Sequence, residues 1–146
     1  MQLTRLTDYG LRVLMFVGRQ HGRICTRPEI ARYHGVSQEH LRKVVHKLAI
    51  LGYLNTSRGR NGGIVLGRDP AEIRIGDVVV ALEADLSIVD CQALGCVLRH
   101  GCSLKSALNE ARRAFIAALN KVTLADLLSD PGMRRQFRKI RIANGR

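Results

Sequence analysis

The chain has 146 residues, 46% of them apolar, with no Trp and a formal net charge of +12. That suits one compact domain, or a small domain with a dimerisation arm, whose core is built from Leu, Ile, Val and Ala. No apolar run approaches membrane-spanning length and the first residues do not resemble a secretory leader, so a cytoplasmic protein that engages no membrane is expected. No paired carboxylates or nucleophile–base pattern stands out, and an enzyme is not expected.

The charge is unevenly spread. Residues 1–70 hold twelve Lys/Arg against four Asp/Glu, residues 71–102 two against five, and residues 131–146 six against none. A basic N-terminal half points to a polyanion partner, most simply nucleic acid.

In chain order, Thr4 to Gly18 predicts a first helix, with Leu6, Val13, Leu14 and Val17 on one stripe, and Asp8 in its first turns, where a carboxylate suits the helix dipole. Thr26-Arg27-Pro28-Glu29 opens a second helix with a capping box. It runs to about His34. Gly35-Val36 turns the chain, and Ser37 caps a third helix that buries Leu41, Val44, Val45 and Leu48. Two short helices joined by a glycine-containing turn form a helix-turn-helix candidate. Gln38, Glu39, His40, Arg42, Lys43 and Lys47 lie on the outer faces of the second of these. Gln and His donate to base edges, and Lys and Arg meet phosphate or guanine. Ser37 adds a hydroxyl beside free backbone N–H groups, a natural phosphate anchor.

Gly52-Tyr53-Leu54 then leads into a short strand and Ile64-Val65-Leu66 returns as a second. The basic turn between them, Arg58-Gly59-Arg60-Asn61-Gly62-Gly63, carries the Asn-Gly signal of a hairpin. A basic hairpin directly after a helix-turn-helix is a winged helix whose arginines can enter the minor groove. No Lys-Ser/Thr follows these glycines, which argues against a nucleotide phosphate loop.

Ile75 to Leu82 predicts a short helix. A long one, capped by Ser103 and running to about Lys121, carries Leu104, Ala107, Leu108, Ala111, Phe115, Ala118 and Leu119 down one side, a stripe suited to packing against its copy in a second subunit. Thr123-Leu124-Ala125-Asp126 is a further capped turn, and the basic end of the chain is expected to be mobile. Between the last two helices, Cys91, Cys96 and Cys102 lie within twelve residues. Three thiolates on a loop with two glycines can face one soft metal centre. Their spacing leaves zinc and iron–sulfur both open. Cys25 stands apart and is expected to be a small semi-buried residue.

In this order the elements resemble the bacterial winged-helix regulators that carry an iron–sulfur cluster, a family that includes IscR and the nitric-oxide sensors of the NsrR type. The resemblance rests on Leu3-Thr4, Thr7-Asp8-Tyr9-Gly10-Leu11-Arg12, Gly35-Val36-Ser37, Gly52-Tyr53-Leu54, Arg58 to Ile64, and Ile73-Arg74-Ile75-Gly76-Asp77-Val78-Val79. Val89-Asp90-Cys91, the cysteine spacing and Thr123 to Leu127 look most like the nitric-oxide sensors. The fold class expected is mainly α with a small β-hairpin, a winged helix-turn-helix with a long dimerisation helix. The expected divisions are a DNA-binding region at 1–70, a connecting helix and cluster loop at 71–102, a dimerisation helix with its capped turn at 103–129, and a tail at 130–146.

The resemblance implies a homodimeric repressor that binds two-fold symmetric double-stranded operator DNA and responds to nitric oxide. Its cluster, [4Fe–4S] in preference to [2Fe–2S], would be held by Cys91, Cys96 and Cys102, with Asp8 of the partner subunit as fourth ligand. Residues 38–51 would enter the major groove and the turn at Arg58–Gly63 the minor groove. The DNA-contacting residues expected are Ser37, Gln38, His40 and Lys43 with Arg58, Gly59, Arg60, Asn61 and Gly62. The alternatives are an IscR-like regulator answering to cluster or redox status, and a zinc-stabilised DNA-binding module. His100 is expected to be oriented by packing rather than to ligate.

Overall fold

The computed structural model describes residues 2–59, 62–98, 101–133 and 135. Among the described residues these elements follow in order: α1 Arg5–Gly18, α2 Arg27–His34, α3 Gln38–Ile50, β1 Leu54–Thr56, β2 Ile64–Leu66, α4 Ile75–Leu82, α5 Ser103–Leu119 and α6 Leu124–Ser129, with a 3₁₀ turn at Pro70–Glu72. The chain is mainly α with one two-stranded antiparallel sheet, in which Leu54 faces Leu66 and Thr56 faces Ile64.

Helix α1 is the hub. Its sequence places Val13, Leu14, Phe16 and Val17 on a continuous buried face, each no more than 5% exposed. That face meets α2, α3, α4, α6 and β2. Thr4 caps the helix by accepting from the Thr7 amide, as its position before the apolar stripe predicts. Gly10 and Gly18 let neighbours close in, since a Cβ would lie 2.5 Å from the Leu82 side chain at Gly10 and 2.8 Å from Leu128 at Gly18.

The start of α2 carries the expected capping box. The Glu29 amide donates to Thr26 Oγ1 at 3.3 Å, and the Thr26 amide donates back to the Glu29 carboxylate at 3.4 Å. Gly35 ends the helix in the left-handed region, φ 63°, which releases the chain into Ser37 and α3. Leu41, Val44, Val45 and Leu48 are the buried face of α3, as their spacing predicts. This helix ends at Ile50, one residue before the expected limit.

Two expectations for α5 are corrected. Cys102 stands at its N-cap position without a side-chain cap bond, Ser103 is the first helical residue, and the helix ends at Leu119 rather than Lys121. A threonine-capped turn then begins at Thr123, whose hydroxyl accepts from the Asp126 amide at 3.2 Å, as expected. The C-terminal half of α5 lies on α4 at Gly76, where a Cβ would come within 2.8 Å of the Ile116 carbonyl. The Arg74 guanidinium donates to the Asn120 carbonyl at 3.0 Å, and Asn120 Nδ2 to Asp77 at 3.1 Å. No residue of α5 is buried. The tail expected to be mobile falls mostly outside the described residues. Among the described residues no helix is long and apolar enough to cross a membrane.

Candidate nucleic-acid interface and cysteine loop

The basic face is built by α3 and the hairpin. Ser37, Gln38, His40 and Lys43 are all exposed, on the turns of α3 opposite its buried stripe. The Ser37 hydroxyl accepts from the His40 amide at 3.2 Å and lies 3.0 Å from His40 Nδ1. Two expected contact residues are thereby held as a pair at the helix N-terminus, where unpaired amides and the dipole favour a phosphate. Glu39 and Arg42 pair at 2.9 Å on the same exposed surface. The Arg42 hydrogen bond holds the Glu39 carboxyl below the usual carboxylate range.

The hairpin turn is shaped by its glycines. Gly59 has φ +102°, and a Cβ on Gly62 would sit 2.5 Å from the Ser57 carbonyl. The Gly62 amide donates to the Gly59 carbonyl at 3.0 Å, closing the turn with Arg58 exposed at its edge. Arg60 and Asn61, the other expected contacts in this turn, lie outside the described residues.

Three features of this head escape the linear pattern. Arg68 donates to the Leu51 and Gly52 carbonyls at 2.7 and 3.2 Å and lies over the Tyr53 ring, 4.7 Å from its centroid, so it closes the end of α3 onto the sheet. Glu83, the residue that follows α4, accepts from the Thr4 amide at 2.8 Å and fastens the start of the cysteine-bearing connection to α1. Neither contact has a local signal, because the partners are 16 or more residues apart. Cys25 is the third, and here the expectation of a semi-buried residue is corrected. It is fully buried and pairs its backbone with Ile64 on the edge of the sheet, at 2.9 and 2.8 Å. Burial pushes its thiol pKa up, against the opposing effect of Arg23, so the nucleophilic thiolate is suppressed. An Ile-Cys pair directly before a capping box was the available hint.

The second candidate centre is the loop between α4 and α5. Cys91, Cys96 and Cys102 are free and half-buried. Asp90 organises the loop's first turn by accepting from the Gln92 and Ala93 amides at 3.0 and 2.9 Å. The Cys96 amide donates to the Cys91 carbonyl at 3.1 Å. Gly95 and Gly101 take φ of +58° and +91°, left-handed backbone that favours glycine. Among the described residues no three Cys, His, Asp or Glu side chains converge, so one chain does not gather Cys91, Cys96, Cys102 and Asp8 into a ligand set. Asp8 is instead half-exposed on α1 and pairs with Arg12 at 3.0 Å. His100 lies outside the described residues. The donor chemistry suits a soft metal or an iron–sulfur group, with free thiols on a glycine-hinged loop whose apolar residues remain outside the core: Leu94 is 76% exposed, Val97 92% and Leu98 65%.

The Rrf2 family model, described as an iron-dependent transcriptional regulator, matches residues 3–130. The chain belongs to the Rrf2 family. It is 46% identical over 134 residues to the HTH-type transcriptional regulator NsrR of Bacillus subtilis strain 168, covering 89% of this chain and 92% of that protein. It is 48% identical over 145 residues to the NsrR regulator of Geobacillus kaustophilus strain HTA426, covering 97% and 99%. Among solved structures, the global cysteine regulator CymR of B. subtilis superposes with a TM-score of 0.74 at 27% identity, covering 88% of this chain and 97% of that one. The IscR of T. potens superposes at 0.72 with 24% identity, covering 89% and 88%, a likeness of fold. This Rrf2 chain is therefore a DNA-binding transcriptional regulator and not an enzyme, and its winged-helix fold is the one its sequence predicts.

Proposed function

We propose that the protein is a nitric-oxide-sensitive repressor in the cytoplasm, which binds a two-fold symmetric operator as a homodimer and carries an iron–sulfur cluster, [4Fe–4S] in preference to [2Fe–2S]. The observation that carries this reading is the cysteine loop, whose three free, half-buried thiols stand among bare apolar residues in a chain nearly half identical to regulators named NsrR. Cys91, Cys96 and Cys102 hold the cluster, and Asp8 of the partner subunit completes the set. In this reading residues 1–70 are the DNA-reading head, 71–102 the sensing segment and 103–129 the dimerisation arm.

The residues present fit that assignment. Asp8 has its carboxylate at the surface of α1, paired with Arg12 across one helical turn. An exposed pair of this kind contributes roughly 0.3–0.5 kcal/mol, so it yields readily to a metal bond. The bound cluster supplies iron that reacts with nitric oxide. The chain's own part is mechanical. Glu83 fastens the connection at the start of α1, and Cys102 leads directly into α5, so the loop is anchored to the head at one end and to the dimer arm at the other. A carboxylate would be a weaker partner than thiolate for such a soft site, so Asp8 would be the tie between subunits most easily lost. The two recognition helices must meet half-sites roughly 34 Å apart, so a small rotation of one head removes part of its contacts.

The deciding experiment is oxygen-free purification with iron, zinc and acid-labile sulfide measured, followed by operator titration before and after nitric oxide, with mass recorded in each state. Iron with sulfide, and operator release on nitrosylation with the dimer intact, is the expected outcome. Zinc without sulfide replaces the sensor with a structural module, and cluster-bearing protein that holds its operator under nitric oxide replaces it with an IscR-like regulator.

A further inference from the structure

Between α3 and the hairpin lies a cleft of about 560 Å³, and its Arg27, Arg42 and His46 are not among the expected DNA contacts. Thr26 and Arg27 from the start of α2 form one wall, Arg42 and His46 from α3 the second, and Ser57 and Arg58 from the hairpin the third. Val45, Ala49 and Ile64 form its floor, and no carboxylate lines it. Arg42 and His46 are four residues apart and so share one side of α3. Among the described residues the ion pairs are Arg12–Asp8, Arg23–Glu29 and Arg42–Glu39, and none includes Arg27 or Arg58.

The width of the cleft is fixed by backbone. Cys25, two residues before Arg27, exchanges both hydrogen bonds with Ile64 at the foot of the hairpin. Gly63 lies so close that a Cβ there would come within 2.5 Å of the Cys25 carbonyl. The α2 wall and the hairpin wall are therefore one rigid unit. Such a cleft, lined by three guanidinium groups, an imidazole and three hydroxyl side chains, suits a linear polyanion.

DNA geometry names the occupant. A helix in the major groove and a hairpin in the neighbouring minor groove have one sugar–phosphate strand between them. We propose that this cleft is the track of that strand, and that Arg27 and His46 are phosphate-positioning residues that set the angle between helix and hairpin on the duplex. The proposal rests on α3 and the hairpin being the DNA-reading surface. Contacts of this kind fix register and orientation without reading sequence.

The test uses the full-length dimer, an operator duplex selected from random sequence, and an unrelated duplex of equal length, each titrated over a salt series. Arg27→Ala is expected to weaken both duplexes by the same factor and to lower the salt slope by about 0.9, the value of one lost phosphate contact. Arg27→Lys is expected to restore the slope. His46→Ala is expected to weaken both duplexes alike. Thermal melting of each variant separates a folding defect from a lost contact. Phosphate-ethylation interference on the parent should fall on the strand between the protected major- and minor-groove segments and disappear there in Arg27→Ala. Parental affinity and slope in both Arg27→Ala and His46→Ala, with Arg58→Ala impaired, overturns the track and leaves the reading surface standing. Loss confined to the operator duplex also overturns it, since that marks a base-reading role. If Lys43→Ala and Arg58→Ala are silent too, the reading surface itself fails.

Discussion

The core around α1 and the cysteine-bearing segment of this chain are built in opposite ways. From α1 to the hairpin, each helix turns an apolar face inward, and Leu14, Ile30, Leu41, Leu48 and Leu54 are all at most 1% exposed. From Ile88 to Leu104 the large apolar residues are exposed, and no residue of α5 is fully buried. Burial at roughly 25 cal/mol per Å² of apolar surface stabilises the first half within one chain. An exposed apolar run of the second kind marks an interaction site. The difference teaches that the core around α1, with α4 and α6 packed on it, closes within one chain, while the cysteine segment leaves its apolar surface uncovered.

The sharpest way to break this comparison is to remove matching side chains from each half of cluster-free protein. Leu41→Ala in the head is expected to cost about 2–5 kcal/mol in urea unfolding, because its neighbours leave a cavity. Val97→Ser in the loop is expected to stay within about 0.5 kcal/mol of the parent. Similar losses at both sites would mean that the loop is folded into the core after all.

Caps test the head on a finer scale. Ser37→Ala removes the acceptor of the His40 amide and should cost about 1 kcal/mol of stability. DNA affinity should fall further than that loss explains, because His40 is freed from its hydroxyl neighbour. A stability loss without any change in binding would confine Ser37 to a capping role.

Among the cysteines the halves separate again. Cys91→Ala, Cys96→Ala and Cys102→Ala are each expected to abolish stable cluster binding with little effect on the unfolding of cluster-free protein. Cys25→Ala should keep the absorption spectrum of the cluster and lose some stability, since it empties a buried site beside Ile64. Equal iron loss from Cys25→Ala would show that the ligand set is wrong.

The smallest expected effect is one of pH. Burial opposes ionisation of Glu29, but hydrogen bonds from Arg23 and the Thr26 amide outweigh it and hold its carboxyl below the usual range. A carboxyl with a depressed folded-state pKa contributes stability above its unfolded value and loses it as pH falls through the folded value. Glu29→Gln should therefore flatten the acid side of the stability profile, with the change confined to the region below about pH 5. An unchanged acid limb would make the Arg23–Glu29 pair inert.

The head was legible because its signals are local. Thr4, Thr26-x-x-Glu29, Gly35 and Ser37 mark helix ends within a few residues of themselves, and the alternation of apolar and polar positions fixes the buried faces between them. Arg68 over Tyr53 and the Cys25–Ile64 bridge were not legible, since each joins residues brought together only by the tertiary fold. The cap of α5 was misread because Ser103 has the right chemistry one position too late, and Cys102 takes the N-cap position without a side-chain bond. The cysteine loop was legible as a cluster of thiols but not as a site. Cys91, Cys96, Cys102 and Asp8 do not converge within one chain, and a sequence states the chemistry of a donor set without stating which copy supplies each member.

Mixed dimers test whether the site is shared between subunits. Asp8→Ala and Cys96→Ala subunits, differently tagged and co-expressed, give a heterodimer in which one subunit keeps its cysteines and the other its Asp8. If the site is shared across the dimer, one complete ligand set is rebuilt. Half of the parental iron should then persist with parental lifetime against chelator, while both parent homodimers lose theirs faster or hold none. Cluster lifetime in the heterodimer no better than in the Asp8→Ala homodimer would contradict the shared site and return Asp8 to its pairing with Arg12.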